Sequence, residues 1–195
     1  MASNRIPYLI KFDNSINDIS LSPLESLYPQ SNYKYIYEPN EHYRLLIYLS
    51  NLVSNSILID AGCHCGCSTL ALAQNPTNKV LGYDTRFCHT PARGVTNCTF
   101  RQDDVLTLES HILRSASIIL LDIDPHDGIA ERKFMYMLKR AKFRGLVVLD
   151  DIFAPGMKEF WGDIGLHKLD ITEYGHYSGT GVVSFNTTGT RLIKV

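Results

Sequence analysis

The sequence predicts an α/β fold, a doubly wound domain with a seven-stranded, mostly parallel sheet and helices on both faces. Short, continuously apolar runs alternate with stretches of helical spacing, as is typical of parallel strands buried on both faces. A glycine-containing loop follows the first apolar run, residues 56–60. The last two runs are separated only by a connection that contains glycine and serine, which predicts a C-terminal antiparallel hairpin.

The individual elements follow from the same patterns in chain order. Residues 41–53 carry apolar side chains at helical spacing, so they are predicted to form a helix that leads into the strand at 56–60. The remaining predicted elements are a helix near 68–74, strands at 79–84, 99–101 and 117–122, a helix at 129–142, a strand at 145–149, and hairpin strands at 166–174 and 181–185. One mixed sheet is expected to account for all of residues 45–195.

Residues 1–40 differ from the rest of the chain. They contain four prolines and a run of alternating tyrosines, and we interpret them as an N-terminal extension that caps a substrate site on the main domain, 41–195. Tyr35 and Tyr37 are the candidate substrate contacts in this run, because aromatic rings with polar tips suit binding sites that are partly exposed to water. Packing of the same tyrosines on the core as an edge strand is the alternative.

Composition limits the classes of function. The 195 residues are 45% hydrophobic and 20% charged, with a net charge of −1, which is typical of a globular domain and does not favour a nucleic-acid partner. No apolar run approaches the roughly 20 residues of a membrane span, and the first residues lack the features of a signal peptide. The five cysteines are expected to be reduced, so a cytoplasmic location without a membrane partner is predicted.

The loop after the first strand is the most informative segment. Residues 60–69 read Asp-Ala-Gly-Cys-His-Cys-Gly-Cys-Ser-Thr, and ligands of open α/β sheets bind beyond the carboxyl ends of the strands, where this loop must lie. The spacing from Asp60 through Gly62 to Gly66 resembles the first motif of the class I S-adenosylmethionine-dependent methyltransferases, a Rossmann-like family in which the loop surrounds the methionine part of the cofactor. The resemblance implies cofactor contacts from Asp60, Ala61, Gly62, His64, Gly66, Ser68 and Thr69.

Acidic residues after the next two strands extend this prediction. Asp84 ends the second strand, where a carboxylate can accept hydrogen bonds from the two ribose hydroxyls of a nucleoside. The resemblance implies that Asp103 or Asp104, after the third strand, meets the adenine amino group, and the sequence does not choose between them. Asp122, at the end of the fourth strand, is assigned to the same cleft.

Cysteine and histidine crowd the first loop and offer an alternative reading of it. Three thiols and one imidazole within residues 63–67 are able to ligate a soft metal such as zinc. However, structural zinc sites space their cysteine pairs by two to four residues and need a second pair, which the chain lacks. The loop is therefore interpreted as flanking the cofactor.

Carboxylates also end the fourth and fifth strands. Asp122 and Asp124 follow one strand, and Asp150 and Asp151 follow its neighbour, so these groups are expected to converge on one rim of the sheet. Like charges at close range are unfavourable, and a divalent cation such as Mg²⁺ or Mn²⁺ removes the repulsion. The sequence thus predicts a metal site at this rim.

The arrangement resembles metal-dependent O-methyltransferases of the catechol and caffeoyl-CoA types. It resembles the macrolide sugar O-methyltransferases more closely, because there a histidine follows the strand-four aspartate. The resemblance implies Asp122, Asp150 and Asp151 as metal ligands, with Asp124 as a substitute for Asp122. It also implies transfer of a methyl group to a hydroxyl of a small molecule, preferentially a sugar of a glycan or natural product.

His126 is the candidate general base, because a neutral imidazole can take the proton of an attacking hydroxyl near pH 7. It lies four residues after Asp122, whereas the related enzymes place the base three residues after the aspartate, so Asp127 is a rival candidate. Further acceptor contacts are assigned to Trp161, His176 and Tyr177, which lie near the predicted rim.

Three other functions are weighed against this one. A nucleic-acid methyltransferase is disfavoured because Asp-Ile-Asp-Pro-His at 122–126 provides no aromatic ring to stack on a flipped base. An NAD(P)-dependent oxidoreductase is disfavoured by the absence of the third glycine of the dinucleotide fingerprint. A non-catalytic methyltransferase-fold binding domain has no need for clustered carboxylates. The sequence leaves homo-oligomer formation open.

Overall fold

The computed structural model describes residues 6–25, 41–86, 95–186 and 189–195. Its strands are β1 Leu9–Phe12, β2 Ile57–Ala61, β3 Lys79–Asp84, β4 Cys98–Gln102, β5 Ala116–Leu121, β6 Leu146–Leu149, β7 His167–Asp170, β8 Gly181–Ser184 and β9 Arg191–Lys194. Its helices are α1 Ser22–Glu25, α2 Tyr43–Asn51, α3 Cys67–Leu72, α4 Ser110–Ser115, α5 Ile129–Ala141 and α6 Pro155–Asp163.

Seven strands form the main sheet, in the order β4-β3-β2-β5-β6-β8-β7. All neighbouring pairs are parallel except those of β8, which runs antiparallel to both β6 and β7. This arrangement confirms the predicted doubly wound, mostly parallel sheet with its C-terminal antiparallel hairpin. The strand order reverses between β2 and β5, and a crevice beyond the strand ends is expected at such a point.

The two faces of the sheet are buried under different helices. Alternate side chains of the central strands point to opposite faces, so Leu58 packs with α2 and α3 whereas Ile59 packs with α4 and α5. Both residues have no exposed surface. The continuous apolar runs in the sequence therefore reflect burial on both faces.

A second, two-stranded sheet was not predicted. β1 pairs in parallel with β9, so the expectation that one mixed sheet accounts for all of residues 45–195 is wrong. Ile10 and Phe12 of β1 are almost fully buried in the same apolar cluster as α2 and α3. The pairing joins segments about 180 residues apart, and a local pattern carries no signal of it.

One strand boundary and two helices also differ from the sequence-based expectation. The strand predicted at 166–174 ends at Asp170, because the Asp170 carboxylate accepts hydrogen bonds from the backbone N–H and hydroxyl of Thr172 and starts a turn. Helices α4 and α6 were not predicted, although Pro155 at the first position of α6 is a helix-start signal. Within the described ranges, no helix is long and apolar enough to cross a membrane.

Candidate active site

A cleft of about 530 Å³ opens beyond the carboxyl ends of β2, β3, β4 and β5. We call it the strand-end cleft. Eight of the predicted site residues line it: Gly62, His64, Asp84, Asp103, Asp104, Asp122, Asp124 and His126. The structure thus brings predicted residues from the ends of four separate strands to one cavity.

Backbone pairing sets the relative positions of these loops. The N–H of Asp122 donates to the carbonyl of Ala61, and the N–H of Asp150 donates to the carbonyl of Leu121. The first loop and the carboxyl ends of β5 and β6 are therefore adjacent at the same edge of the sheet. Gly62 has φ +93°, and a Cβ there would lie 1.6 Å from the carbonyl oxygen of Asp122, so only glycine fits this approach.

Asp60 stands behind the first loop rather than in the cleft wall. Its side chain is fully buried, and its Oδ2 accepts hydrogen bonds from Ser68 Oγ at 2.7 Å and Thr69 Oγ1 at 2.5 Å. Burial raises the pKa of Asp60 to about 6 despite these two hydrogen bonds. These contacts fix the beginning of α3 beneath the loop. Gly66, with φ +84°, precedes α3, and Ala61 is buried in β2.

Asp84 holds the mouth of the cleft together. Its Oδ2 accepts a hydrogen bond from the backbone N–H of His64 and its Oδ1 accepts one from Arg86, both at 2.8 Å. Asp104 Oδ1 accepts a hydrogen bond from the N–H of Leu106, and Asp103 donates its own N–H to the carbonyl of Asp84. Both candidate adenine-binding residues line the cleft.

The cysteine-rich loop forms no metal-binding group among the described residues, where groups of metal-ligating atoms occur only around Asp151. Cys63 and Cys67 are buried, and Cys65 Sγ lies 3.5 Å from Cys67 Sγ. Hydrogen bonding with Cys67 lowers the pKa of Cys65 to about 5. None of the four described cysteines forms a disulfide, and Cys88 lies outside the described residues.

Three carboxylates, Asp122, Asp150 and Asp151, meet beside the cleft, and we call them the acidic site. His126 and His176 stand on either side of Asp151, with Nδ1 atoms 3.4 Å and 3.6 Å from its carboxylate oxygens. Ligand atoms of Asp122, His126 and Asp151 lie within 4.8 Å of one another, as do those of Asp150, Asp151 and His176. The donor set is therefore compact enough to hold a divalent cation.

Electrostatics at the acidic site follow from burial and from the neighbouring imidazoles. Burial and the charge of Asp150 raise the pKa of Asp122 well above its ordinary value. The adjacent imidazole of His176 lowers the pKa of Asp151 to about 2, and the pKa of His176 is raised by the same pairing. Burial lowers the pKa of His42, but the carboxylates of Asp150, Asp122 and Glu41 together outweigh it and bring the pKa to about 9.

The two base candidates occupy different surroundings. His126 Nε2 lies 3.8 Å from Asp122 Oδ1 and 3.6 Å from Asp124 Oδ1, so its imidazole faces the carboxylates. Asp127 instead accepts a hydrogen bond from the N–H of Ile129 through Oδ1, at the beginning of α5. The Asp124 side chain is 70% exposed and pairs with Arg86 at 3.4 Å, at the rim of the cleft.

The predicted acceptor contacts fall in different places. Tyr35 and Tyr37 lie outside the described residues. His176 belongs to the histidines around the acidic site, and its ring lies 4.4 Å, centroid to centroid, from that of the exposed Tyr177. Trp161 packs on the sheet instead: a Cβ at Gly181 in β8 would lie 2.6 Å from the indole ring.

Sequence reasoning missed Glu41 and His42, which precede α2. The buried His42 places Nδ1 3.7 Å from Asp150 Oδ2, and Glu41 Oε1 lies 3.7 Å from His176 Nε2. The signal for them was an acidic residue and a histidine directly ahead of an apolar helix. No spacing in the sequence indicates that this helix begins against the end of β6.

The strand order and the strand-end cleft define a doubly wound, Rossmann-like α/β fold, which several solved methyltransferase structures share. No family model and no curated protein matches the sequence. Among solved structures, precorrin-6Y C5,15-methyltransferase from Geobacter metallireducens is 11% identical, with a TM-score of 0.55 over 82% of this chain and 100% of that one.

Two further structures match at a similar level. A Staphylococcus aureus protein described as a caffeoyl-CoA O-methyltransferase is 12% identical, with a TM-score of 0.52 over 88% of this chain and 93% of that one. The SAH-bound methyltransferase PaMTH1 of Podospora anserina is 13% identical, with a TM-score of 0.52 over 73% of this chain and 76% of that one. At this identity the likeness establishes the fold.

Proposed function

We propose that the chain is an S-adenosylmethionine-dependent O-methyltransferase, assisted by Mg²⁺ or Mn²⁺, that acts on a hydroxyl of a small molecule, preferentially a sugar. One observation carries the proposal: the strand-end cleft and the metal-ligating groups share Asp122 and His126. A methyl donor in the cleft and a hydroxyl at the acidic site would therefore meet at these two residues.

The cleft suits the proposed cofactor. Its volume falls within the range of about 300–1,000 Å³ usual for small-molecule sites. Asp84 provides carboxylate oxygens for ribose hydroxyls, and Asp103 or Asp104 provides an acceptor for the adenine amino group. The absent Cβ of Gly62 lets the first loop lie against the carbonyl of Asp122, and the loop backbone lines the cleft where the methionine part would bind. The bound sulfonium supplies the electrophilic methyl group, and the chain orients it.

The acidic site suits a divalent cation. Asp122, Asp150 and Asp151 would hold it, since their oxygens are hard ligands whose mutual repulsion a cation removes. The exposed Asp124 is less suited to replace Asp122, because its carboxylate pairs with Arg86. A cation held there polarises an acceptor hydroxyl and makes its proton easier to remove.

We assign the removal of that proton to His126. Its ring lies between Asp151 on one side and Asp122 and Asp124 on the other, and its Nδ1 has no hydrogen-bond partner among the described residues. The backbone of His126 has φ +56°, as does that of Asp151. Left-handed backbone at non-glycine residues costs free energy and is concentrated at functional sites, which supports a role for both.

Methyl transfer from radiolabelled cofactor to a panel of sugars and catechols tests the proposal, first with Mg²⁺ or Mn²⁺ and then with EDTA. We expect transfer to a hydroxyl that is lost on chelation and reduced at least about 100-fold in Asp151→Asn and His126→Ala. Asp18→Asn, a change at an exposed aspartate that does not line the cleft, is the matched control and should retain activity.

Two outcomes would count against the proposal. Full transfer in EDTA and in Asp151→Asn would remove the metal from the reaction, and near-normal transfer by His126→Ala would move the base elsewhere. A thermal-shift comparison separates the cofactor classes beforehand, because a ligand of the folded state raises the melting temperature. We expect stabilisation by S-adenosylhomocysteine (SAH) and none by NAD.

A further inference from the structure

Three imidazoles surround the acidic site at ion-pair distances from its carboxylates. The nitrogen–oxygen distances from His42, His126 and His176 to Asp122, Asp150 and Asp151 all lie between 3.4 and 3.8 Å. Hydrogen bonds of this type are no longer than about 3.2 Å. Adjacent ligands at about 2.1 Å from an octahedral ion are about 3.0 Å apart, so these side chains would need to close by less than about 1 Å to bind one ion.

His176 is the imidazole best placed among them. Its Nδ1 lies 3.6 Å from Asp150 Oδ2 and 3.6 Å from Asp151 Oδ1, so one nitrogen faces both carboxylates of the pair after β6. The ligand atoms of these three residues lie within 4.8 Å of one another. Ser178 Oγ hydrogen-bonds the same nitrogen, and metal binding would exchange that bond for a coordinate bond.

The burial of His42 is an independent observation that points to a ligand at this place. His42 is 5% exposed, and its Nδ1, aimed at Asp150, has no hydrogen-bond partner among the described residues. A buried polar atom without a hydrogen-bond partner lowers stability unless a ligand, ion or water interacts with it. Asp150, 4% exposed, is thus enclosed by His42 and His176 without a hydrogen bond from either imidazole within the described residues.

The far side of His176 has the surroundings of a metal-bound imidazole. Its Nε2 faces the carboxylate of Glu41 at 3.7 Å. Metal-ligating histidines usually direct the nitrogen that does not bind metal to a carboxylate or carbonyl, which fixes the tautomer and orients the ring. Glu41 is therefore the positioning residue for His176.

We propose that His176 is a metal ligand together with Asp150 and Asp151, and that this nitrogen makes the site favour first-row transition ions, including Mn²⁺, over Mg²⁺. Imidazole nitrogen binds such ions well, whereas Mg²⁺ prefers oxygen ligands and retains its water. The inference rests on the metal site of the proposed function, but it does not depend on methyl transfer.

Pulsed electron paramagnetic resonance of the Mn²⁺ complex of the full chain, without cofactor or acceptor, tests the inference through the ¹⁴N modulation of a coordinated imidazole. We expect this modulation in the wild-type protein and its loss in His176→Gln. In Mn²⁺ titrations the dissociation constant should rise at least about tenfold in His176→Gln, whereas that for Mg²⁺ changes less. His111→Gln, at an exposed histidine of α4, is the matched control and should behave as wild type.

Absence of ¹⁴N modulation from the wild-type Mn²⁺ complex would overturn the inference whatever the variants do. Modulation that persists in His176→Gln and disappears in His126→Gln would overturn it as well and would assign the ligand to His126. A modulation that depends on His176 in a protein without methyl transfer would support the inference while contradicting the proposed reaction. Methyl transfer by a protein whose Mn²⁺ has only oxygen ligands would support the proposed reaction and contradict this inference.

Discussion

Gly62 is the residue at which two loops of the site come closest. A methyl group there would overlap the carbonyl oxygen of Asp122, and φ +93° is unfavourable for any other residue. We predict that Gly62→Ala lowers the free energy of unfolding by about 3 kcal/mol through overpacking and backbone strain, and abolishes SAH binding. Urea denaturation and isothermal titration calorimetry measure the two effects.

Gly162→Ala is the control for this change. Gly162 lies in α6, and a Cβ there would meet nothing within 4 Å. Alanine is the better helix former, so this variant should be as stable as the wild type or more stable by up to about 1 kcal/mol. Normal SAH binding by Gly62→Ala would show that the loop does not approach the cofactor.

Asp60 makes a second prediction at the residue scale, because burial raises its pKa to about 6. A carboxyl whose folded-state pKa is raised destabilises the fold when it ionises. This loss of stability is absent below the ordinary pKa of 3.8. It grows between pH 3.8 and about 6 and is complete above about pH 6. We predict that Asp60→Asn raises the free energy of unfolding by up to about 3 kcal/mol relative to the wild type at pH 7.5, and by little at pH 4.

Denaturation curves of the two proteins between pH 4 and 8 test this prediction. The wild-type Oδ2 accepts bonds from Ser68 and Thr69, and an asparagine oxygen can accept the same two bonds. Asp18→Asn, at an exposed position, should show no such pH-dependent gain. A stability difference that is the same at pH 4 and pH 7.5 would show that Asp60 does not titrate in this range.

Among the elements, those with continuous apolar sequence were predictable and those held by distant pairing were not. The strands at 79–84 and 117–122 were predicted nearly to their observed ends, because burial on both faces leaves an unbroken apolar run. α4 was missed because only Leu113 of its six residues is buried, which leaves too little periodicity to detect. β1 and β9, four residues each, are recognisable only as a pair.

The β1–β9 sheet is expected to contribute to stability through its buried side chains. Phe12 has no exposed surface and packs beside the ring of Tyr48 in α2, with centroids 6.0 Å apart. We predict that Phe12→Ala lowers the free energy of unfolding by about 3–5 kcal/mol, measured by urea denaturation. The affinity of the folded fraction for SAH should not change, because Phe12 does not line the strand-end cleft.

Leu9→Ala is the matched control in the same strand. Leu9 is 41% exposed, so its truncation should cost less than about 1 kcal/mol. Equal losses for the two variants would mean that the buried face of β1 is not what stabilises the sheet. A loss of SAH affinity in Phe12→Ala alone would couple the second sheet to the cleft.

On the scale of the whole molecule, the site joins four segments, around residues 41–42, 122–126, 150–151 and 176–178. The convergence of Asp122 with Asp150 and Asp151 was predictable, because the ends of neighbouring parallel strands share one rim. The contribution of His42 was not, because it depends on how α2 packs across the sheet. The sequence patterns therefore predicted the carboxylates of the site but not the buried imidazole of His42.

The shared boundary of the cleft and the acidic site predicts coupling between metal and cofactor. S-adenosylmethionine carries a positive sulfonium and SAH does not, so a cation at the acidic site should repel the former selectively. We predict that Mn²⁺ lowers the affinity for S-adenosylmethionine relative to SAH by about tenfold, compared with EDTA, in calorimetric titrations at low salt. Asp151→Asn should remove the effect of Mn²⁺ on the ratio of the two affinities. If Mn²⁺ does not change this ratio in the wild-type protein, the cation binds away from the cleft.

The pairing of Leu9–Phe12 with Arg191–Lys194 has a consequence for biosynthesis. A ribosome delivers the earlier strand long before its partner, so the backbone groups of β1 that pair with β9 stay unpaired on the nascent chain until residues 191–194 have left the ribosome. During that interval the seven-stranded sheet can already assemble, while an unpaired apolar strand remains available to chaperones or to aggregation.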